Sequence, residues 1–232
     1  MSDSIITENT SNEVVSHSVN SYHDKDKIFK EGLELFKGSS LDFLGIETTS
    51  PIEDVLDNEI TETTTKKAYA DKVFRTADNR GIHAEWEVDI SEADLKRFAS
   101  YNIDLSRKHD ILFETIIVTN TRPKHTSYKN PSLFFEPKVL YLKDRNADET
   151  IKEIEGKLSK GELNDINLLE VVYLMFYGSE SGKKPEELVD YAIKITPKVT
   201  EDEQVKHKLQ SLIILLAERV VGKKELRKIL EV

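Results

Sequence analysis

The chain has 232 residues, of which 38% are hydrophobic and 33% charged, and these values predict one or two folded domains rather than a disordered or fibrous protein. It has no cysteine, which excludes disulfides, thiolate zinc sites and cysteine nucleophiles, so any metal must be held by oxygen or histidine ligands. The net charge of −10 argues against broad attraction to a phosphate backbone, although a local basic cleft is compatible with it.

The character of the chain changes near residue 24. Residues 1–23 are rich in Ser, Asn, Thr and acidic groups without a sustained apolar period, and we expect a disordered tail there. They lack a basic stretch followed by an apolar one, and no apolar run is long enough to span a bilayer, which favours a cytoplasmic location. From Asp24 to Gly38 apolar residues recur at helical spacing, which predicts an amphipathic helix.

The next part of the sequence indicates strands. Residues 60–75 are rich in Thr, Tyr, Val and Phe and predict extended structure, and a turn is expected at 78–81. Over 82–88 apolar and polar residues alternate, which predicts a half-buried strand in a hairpin with the strand before it. Trp86 falls on the apolar face of this strand and is predicted to lie in the core.

Further along, helical patterns dominate. Ser91 and Asp94 resemble a capping box, which predicts a helix through Lys108, and strands are expected at 111–119 and 139–141. In the last helix we expect Thr200 and Glu203 to form a capping box and Gly222 to end it. The C-terminal helices are expected near 147–160, 166–177, 185–195 and 201–221, the last of these being the helix that ends at Gly222.

Three carboxylates are predicted to converge on the hairpin. Asp71 lies on its first strand, and Glu85 and Glu87, two residues apart, share a face of the second. Clustered carboxylates repel one another unless they share a hard cation such as Mg²⁺, which takes a few carboxylate oxygens together with water and substrate phosphate. The alternative is plain surface polarity, because half-buried strands place polar residues outward and the chain has 43 acidic residues.

Other polar residues are weaker candidates. His83 shares the Glu85 face and is a candidate ligand for Mn²⁺ or Zn²⁺, although a surface histidine is the more ordinary interpretation. Glu31 on the first helix is a further candidate ligand, with an exposed helix acid as its alternative. Basic residues, which indicate either local phosphate-binding surfaces or solvated charge, gather in three groups: Lys66, Lys67, Lys72 and Arg75; Lys96, Arg97, Arg107 and Lys108; and Arg122, Lys124, His125 and Lys129.

Several stretches resemble the Rpn family, the recombination-promoting nuclease and transposase-related group of the PD-(D/E)xK nuclease superfamily. An opening helix, an Ala-Asp pair leading a strand, a turn, a Glu-x-Glu strand and a helix with Arg and Tyr occur in the family's order, over about residues 24–230. The matching segments are Asp26-Lys27-Ile28-Phe29-Lys30-Glu31, Ala70-Asp71-Lys72-Val73-Phe74-Arg75, Asn79-Arg80-Gly81-Ile82-His83-Ala84-Glu85-Trp86-Glu87, Arg97 with Tyr101, and Asn167-Leu168-Leu169 to Met175.

The resemblance implies an α/β fold with a restriction-endonuclease-like core of order α-β-β-β-α-β, in which helices flank a mixed sheet. The core would span 24–145 and an α-helical C-terminal subdomain 146–232. The resemblance also implies Mg²⁺-dependent cleavage of DNA, with Mn²⁺ as an alternative metal and Asp71 and Glu85 as ligands, joined by Glu87 from the spacing argument above.

One position departs from the family pattern. Glu87 stands where the superfamily usually has Lys and Rpn members often have Gln, and a carboxylate binds metal but is no cationic partner for phosphate. Lys72 or Lys67 is a candidate cationic substitute from a neighbouring strand, although strand alternation points Lys72 away from Asp71. The candidate contacts for nucleic acid are Lys72 and, on the second helix, Arg97 and Tyr101. The alternative for Arg97 and Tyr101 is that they form a packed, salt-bridged pair.

Two other functions remain open. A relative that has lost catalysis would keep the fold as a nucleic-acid-binding or protein-interaction module, which the acidic net charge and Glu87 favour. A regulatory protein that uses its C-terminal helices as an interface would bind neither metal nor nucleic acid. For a nuclease, cutting both strands of a duplex needs two sites, which favours a homodimer.

Overall fold

The computed structural model describes residues 29–46, 48, 50–61 and 67–231, and these form a mixed β-sheet flanked by helices. The expected tail over 1–23 lies outside the described residues. The strands are β1 (Ile52–Val55), β2 (Glu59–Thr61), β3 (Lys67–Tyr69), β4 (Lys72–Thr76), β5 (Gly81–Trp86), β6 (Phe113–Thr119), β7 (Tyr128–Asn130), β8 (Leu133–Phe135) and β9 (Lys138–Tyr141). The helices are α1 (described over 29–35), α2 (Ser40–Phe43), α3 (Glu92–His109), α4 (Ala147–Leu158), α5 (Asp165–Tyr173), α6 (Pro185–Ile195), α7 (Glu203–Val221) and α8 (Lys223–Leu230).

The main sheet has five strands in the order β1-β4-β5-β6-β9. β4 runs antiparallel to its neighbours β1 and β5, whereas β5, β6 and β9 run parallel. β4 and β5 form the predicted hairpin, and Asn79 in its turn takes a φ of 61°, a left-handed value that Asn tolerates better than most residues. The predicted α/β class is confirmed.

The strand β5 is buried on both faces, so the prediction that it is half-buried was wrong. All six of its residues are buried. Ile82, Ala84 and Trp86 belong to a hydrophobic cluster with α1 and the C-terminal helices, while the opposite face lies under α3. Alternation in the sequence identified the two faces correctly, but it does not reveal that a helix covers the polar one.

The larger hydrophobic cluster joins the sheet to helices from both ends of the chain. Trp86 is at its centre, with ring centroids 5.6 Å from Phe29 of α1, 6.2 Å from Tyr173 of α5 and 5.5 Å from Phe176. The prediction that Trp86 lies in the core is confirmed. Because Phe29 is fully buried in this cluster, it fixes the position of α1 against the sheet. This position determines which part of the sheet the polar residues of α1 can reach.

The helix α3 begins as predicted, with a reciprocal capping box between Ser91 and Asp94. In contrast, the N-terminal cap predicted for α7 was wrong. Asp202 caps it by accepting hydrogen bonds from the N–H groups of Gln204 and Val205, because its carboxylate lies closer to these donors along the chain than Thr200 does. Gly222 ends α7 as predicted.

The C-terminal helices predicted from the sequence are present as α4 to α7, and α8 follows them without having been predicted. Leu209, Leu212, Ile213 and Leu216 form a buried stripe along α7. Among the helices of the described residues, none is long and apolar enough to cross a membrane.

Two glycines offer a matched test of the packing. At Gly178 an added Cβ would lie 2.5 Å from the backbone carbonyl of Lys143, whereas at Gly156, exposed in α4, it would meet nothing within 4 Å. We expect Gly178→Ala to destabilise the protein by about 1–3 kcal/mol through overpacking. Gly156→Ala should stabilise it by about 0.5–1 kcal/mol through helix propensity. Urea unfolding of both variants measures this, and equal free energies of unfolding would contradict the packing.

Candidate active site

The candidate site lies at the edge of the sheet where β5 and β6 end and β4 begins. Asp71 immediately precedes β4, and Glu85 is the penultimate residue of β5. The backbone N–H of Asp71 donates to Glu85 Oε1 over 3.1 Å, and the N–H of Trp86 donates to Asp71 Oδ2 over 2.9 Å. These two bonds bring Asp71 and Glu85 together as predicted, and both residues are buried.

A lysine from α1 forms an ion pair with Asp71. Lys30 Nζ lies 2.9 Å from Asp71 Oδ1, with 26% of the lysine side chain exposed. Phe29 anchors the helix beside it, so the ammonium group is held above the sheet edge. Sequence reasoning included Lys30 in a family-like segment but gave it no role; its position one residue after a buried aromatic was the available signal.

His83 is fully buried under α3, so its interpretation as a surface histidine was wrong. Its Nε2 lies 2.6 Å from Glu85 Oε1 and its Nδ1 3.3 Å from Thr115 Oγ1. Burial, with a smaller contribution from the positive charge of Arg97, lowers the pKa of His83 to about 3. The imidazole is therefore neutral at pH 7: Nε2–H donates to the carboxylate, and Nδ1 accepts from the threonine hydroxyl.

Glu87 faces a different partner from the other two carboxylates. Its Oε1 lies 2.5 Å from Arg97, which also contacts Asp94 over 3.0 Å. Burial is the main cause that raises the pKa of Glu87 to about 7; Asp94 and Glu85 raise it further, and Arg97 opposes them. Glu87 thus forms an ion pair with α3 at the margin of the Asp71–Glu85 pair.

The remaining predicted residues lie apart from the Asp71–Glu85 pair. Lys72 contacts Glu34 of α1 over 2.5 Å, and Tyr101 is buried in the cluster under α3. Glu31 lies in a groove between α1 and α7. The packed, salt-bridged alternative for Arg97 and Tyr101 matches their contacts. The side chain of Lys67 lies outside what the structure describes.

The donor atoms at the site suit a hard divalent cation. Asp71 and Glu85 supply carboxylate oxygens, and Mg²⁺ is commonly bound by one or two carboxylates, with water and substrate phosphate completing its shell. Within residues 29–46, 48, 50–61 and 67–231, no group of three His, Asp or Glu side chains is arranged to hold a metal by itself. A cation at the pair would therefore need its remaining ligands from water or from a phosphate group.

Replacing His83 tests its support of Glu85. His83→Leu removes one hydrogen bond from the buried Glu85 carboxylate and one from the buried Thr115 hydroxyl, and we expect a loss of about 1–3 kcal/mol in unfolding free energy. His83→Gln keeps an amide donor and should recover part of this loss, while Thr115→Val should cost less than His83→Leu. Thermal and urea unfolding measure the series; His83→Leu as stable as the wild type would rule out this support.

Glu87 predicts a pH dependence of stability. Its pKa is raised in the folded protein, so its contribution is fully present below the ordinary value of 4.5 and is lost as pH rises through about 7. The wild type should lose up to about 3 kcal/mol over this window, and Glu87→Gln should not. Urea unfolding of both proteins between pH 4.5 and 8 measures this: the unfolding free energy of the wild type should fall relative to that of Glu87→Gln as pH rises. A difference between the two that does not change with pH would contradict the raised pKa.

No family model, no curated protein and no solved structure matches this chain. The features that bear on its function are those of its own residues: two buried carboxylates joined through the backbone at the end of a parallel strand pair, with a lysine on one side and a neutral histidine on the other.

Proposed function

We propose that this chain is a metal-dependent DNA endonuclease of the Rpn family, with a restriction-endonuclease-like core of the PD-(D/E)xK superfamily. The observation that carries the proposal is the Asp71–Glu85 pair, buried and tied together by backbone hydrogen bonds, with Lys30 at 2.9 Å. The order of α1, β1, β4, β5, α3 and β6 supports it, since this is the α-β-β-β-α-β order of that fold once the short α2 and the separate β2–β3 pair are set aside.

The two carboxylates would hold Mg²⁺ or Mn²⁺, which supplies polarisation of the phosphodiester and activation of water. The protein groups then act around that centre. His83 keeps Glu85 Oε1 at a fixed position through its Nε2–H, and Thr115 fixes the imidazole in turn. Such supporting hydrogen bonds orient ligands and commonly affect activity by about 10–100-fold.

Lys30 fills the role that Glu87 cannot. Glu87 places a carboxylate just after β5, where the superfamily usually has Lys, and this carboxylate forms an ion pair with Arg97. Lys30 approaches Asp71 from α1 instead, so its ammonium group is placed to stabilise negative charge on a phosphate held at the pair. A lysine does so as a point charge with three donors, which needs no particular strand position.

A second candidate function has its own support. Protein groups already engage the pair: Asp71 contacts Lys30 and Trp86, and Glu85 contacts His83 and Asp71. Such a network satisfies the charges without metal, as a structural polar cluster does. The fold would then serve as a nucleic-acid-binding or protein-interaction module that has lost catalysis.

Cleavage assays with amide variants test the nuclease. Asp71→Asn and Glu85→Gln keep the shape and one oxygen each, and so disturb the buried hydrogen bonds less than alanine would. Each should lower Mg²⁺-dependent cleavage of plasmid DNA by about 100-fold or more, and Lys30→Gln by about 10²–10³-fold. Lys152→Gln, on the exposed face of α4, is the matched lysine control and should cleave like the wild type.

The outcomes separate the two functions. Cleavage that requires Mg²⁺ or Mn²⁺, stops with EDTA and fails in the Asp71 and Glu85 variants supports the nuclease. A folded wild type that cleaves no supercoiled, linear or single-stranded DNA with any of these metals would overturn it and favour the non-catalytic module. Cleavage that persists in the Asp71 variant would assign the activity elsewhere or to a contaminant.

A further inference from the structure

The connection between β6 and β9 has an unusual charge balance for this chain. Its residues 120–137 contain Arg122, Lys124 and Lys129 but a single acid, the exposed Glu136, in a protein with 43 acidic residues among 232. Arg122 is engaged by Asp144 at 2.7 Å and by the ring of Tyr141 at 4.3 Å. The side chains of Lys124 and Lys129, in contrast, have no ion-pair or hydrogen-bond partner among the described residues.

This connection begins at the same sheet edge as the carboxylate pair. β5 and β6 are parallel, with Trp86 opposite Val118, so both strands end there. The N–H of Glu87 donates to the carbonyl of Val118 over 3.0 Å, and the hydroxyl of Thr119 bonds the carbonyl of Val88 over 3.3 Å. Residues 120–127 therefore leave the sheet beside the end of β5, which carries Glu85.

The hairpin of β7 and β8 within this connection has two unlike faces. Tyr128 is paired with Phe135, and both pack against the cluster under α3. The next pair is Lys129 with Phe134, which alternation places on the outer face. Phe134 is 60% exposed, so an aromatic ring and an unpaired ammonium group lie side by side on the surface.

We propose that this outer face, with Lys129 and Phe134, binds a single strand of DNA together with the exposed Lys124 of the preceding loop. The ammonium groups would contact phosphates, and the Phe134 ring would stack on an unpaired base, a combination that recurs in surfaces for single strands. A protein of net charge −10 needs such a local basic stretch to approach a polyanion. The proposal rests on the proposed nuclease function, because it supplies the surface that leads a strand to the Asp71–Glu85 pair.

The test is fluorescence anisotropy of the full chain with labelled oligothymidylate and oligouridylate of equal length, in Ca²⁺ or EDTA, over a range of salt. Phe134→Ala should weaken binding by about tenfold, the effect of losing one stacked base. Lys129→Gln and Lys124→Gln should each reduce the slope of log K against log salt by about 0.7. The two oligonucleotides distinguish DNA from RNA as the source of the strand.

Matched controls come from the same chain. Leu112, 85% exposed at the opposite end of β6, controls for the loss of an exposed apolar side chain, and Lys152 controls for the loss of a charge. Leu112→Ala and Lys152→Gln should bind like the wild type. Because all these side chains point outward, thermal unfolding of each variant should match the wild type within a few degrees, about 1 kcal/mol.

Failure of this surface and failure of the nuclease give different results. Normal binding by Asp71→Asn, weakened binding by Phe134→Ala and no cleavage by the wild type would keep the surface and overturn the nuclease. Wild-type cleavage together with unchanged binding in the Phe134 and Lys129 variants would overturn the surface alone. No binding of either oligonucleotide by the wild type would also overturn it.

Discussion

The two backbone hydrogen bonds between the start of β4 and the end of β5 are the constraint on which the site depends. They are made by the carboxylates of Asp71 and Glu85 rather than by carbonyl groups, so the strand pairing itself holds the acids together. Buried carboxylates are expensive unless they are paired and hydrogen-bonded. Lys30 and His83 provide that compensation, one from each side of the sheet.

The packing of the helices explains why those two compensating residues are in reach. Phe29 packs against Trp86 and fixes α1 there, and this contact places Lys30 within reach of Asp71. α3 covers the other face, where Phe98 and Tyr101 lie around the His83 ring at 6.0 Å and 6.2 Å between centroids. The larger cluster extends to Tyr173 and Phe176, so the helices at the end of the chain stabilise the same edge.

Much of the fold followed from local pattern, and most of the site did not. The alternation over 82–88 identified the faces of β5, and Ser91 with Asp94 identified the start of α3, because both signals lie within a few residues of one another. The burial of His83 and the contact of Lys30 with Asp71 depend on elements far apart in sequence. β1 and the β7–β8 hairpin were missed because their strands are short and carry weak apolar periodicity.

The proposed nuclease requires that Asp71 and Glu85 hold a divalent cation together with substrate phosphate. Mn²⁺ binding followed by electron paramagnetic resonance tests this, with and without an oligonucleotide, in the wild type, Asp71→Asn and Glu85→Gln. We expect a bound Mn²⁺ signal in the wild type that strengthens with the oligonucleotide and is lost in both variants. Wild-type Mn²⁺ binding that is absent, or that the two variants retain unchanged, would contradict it.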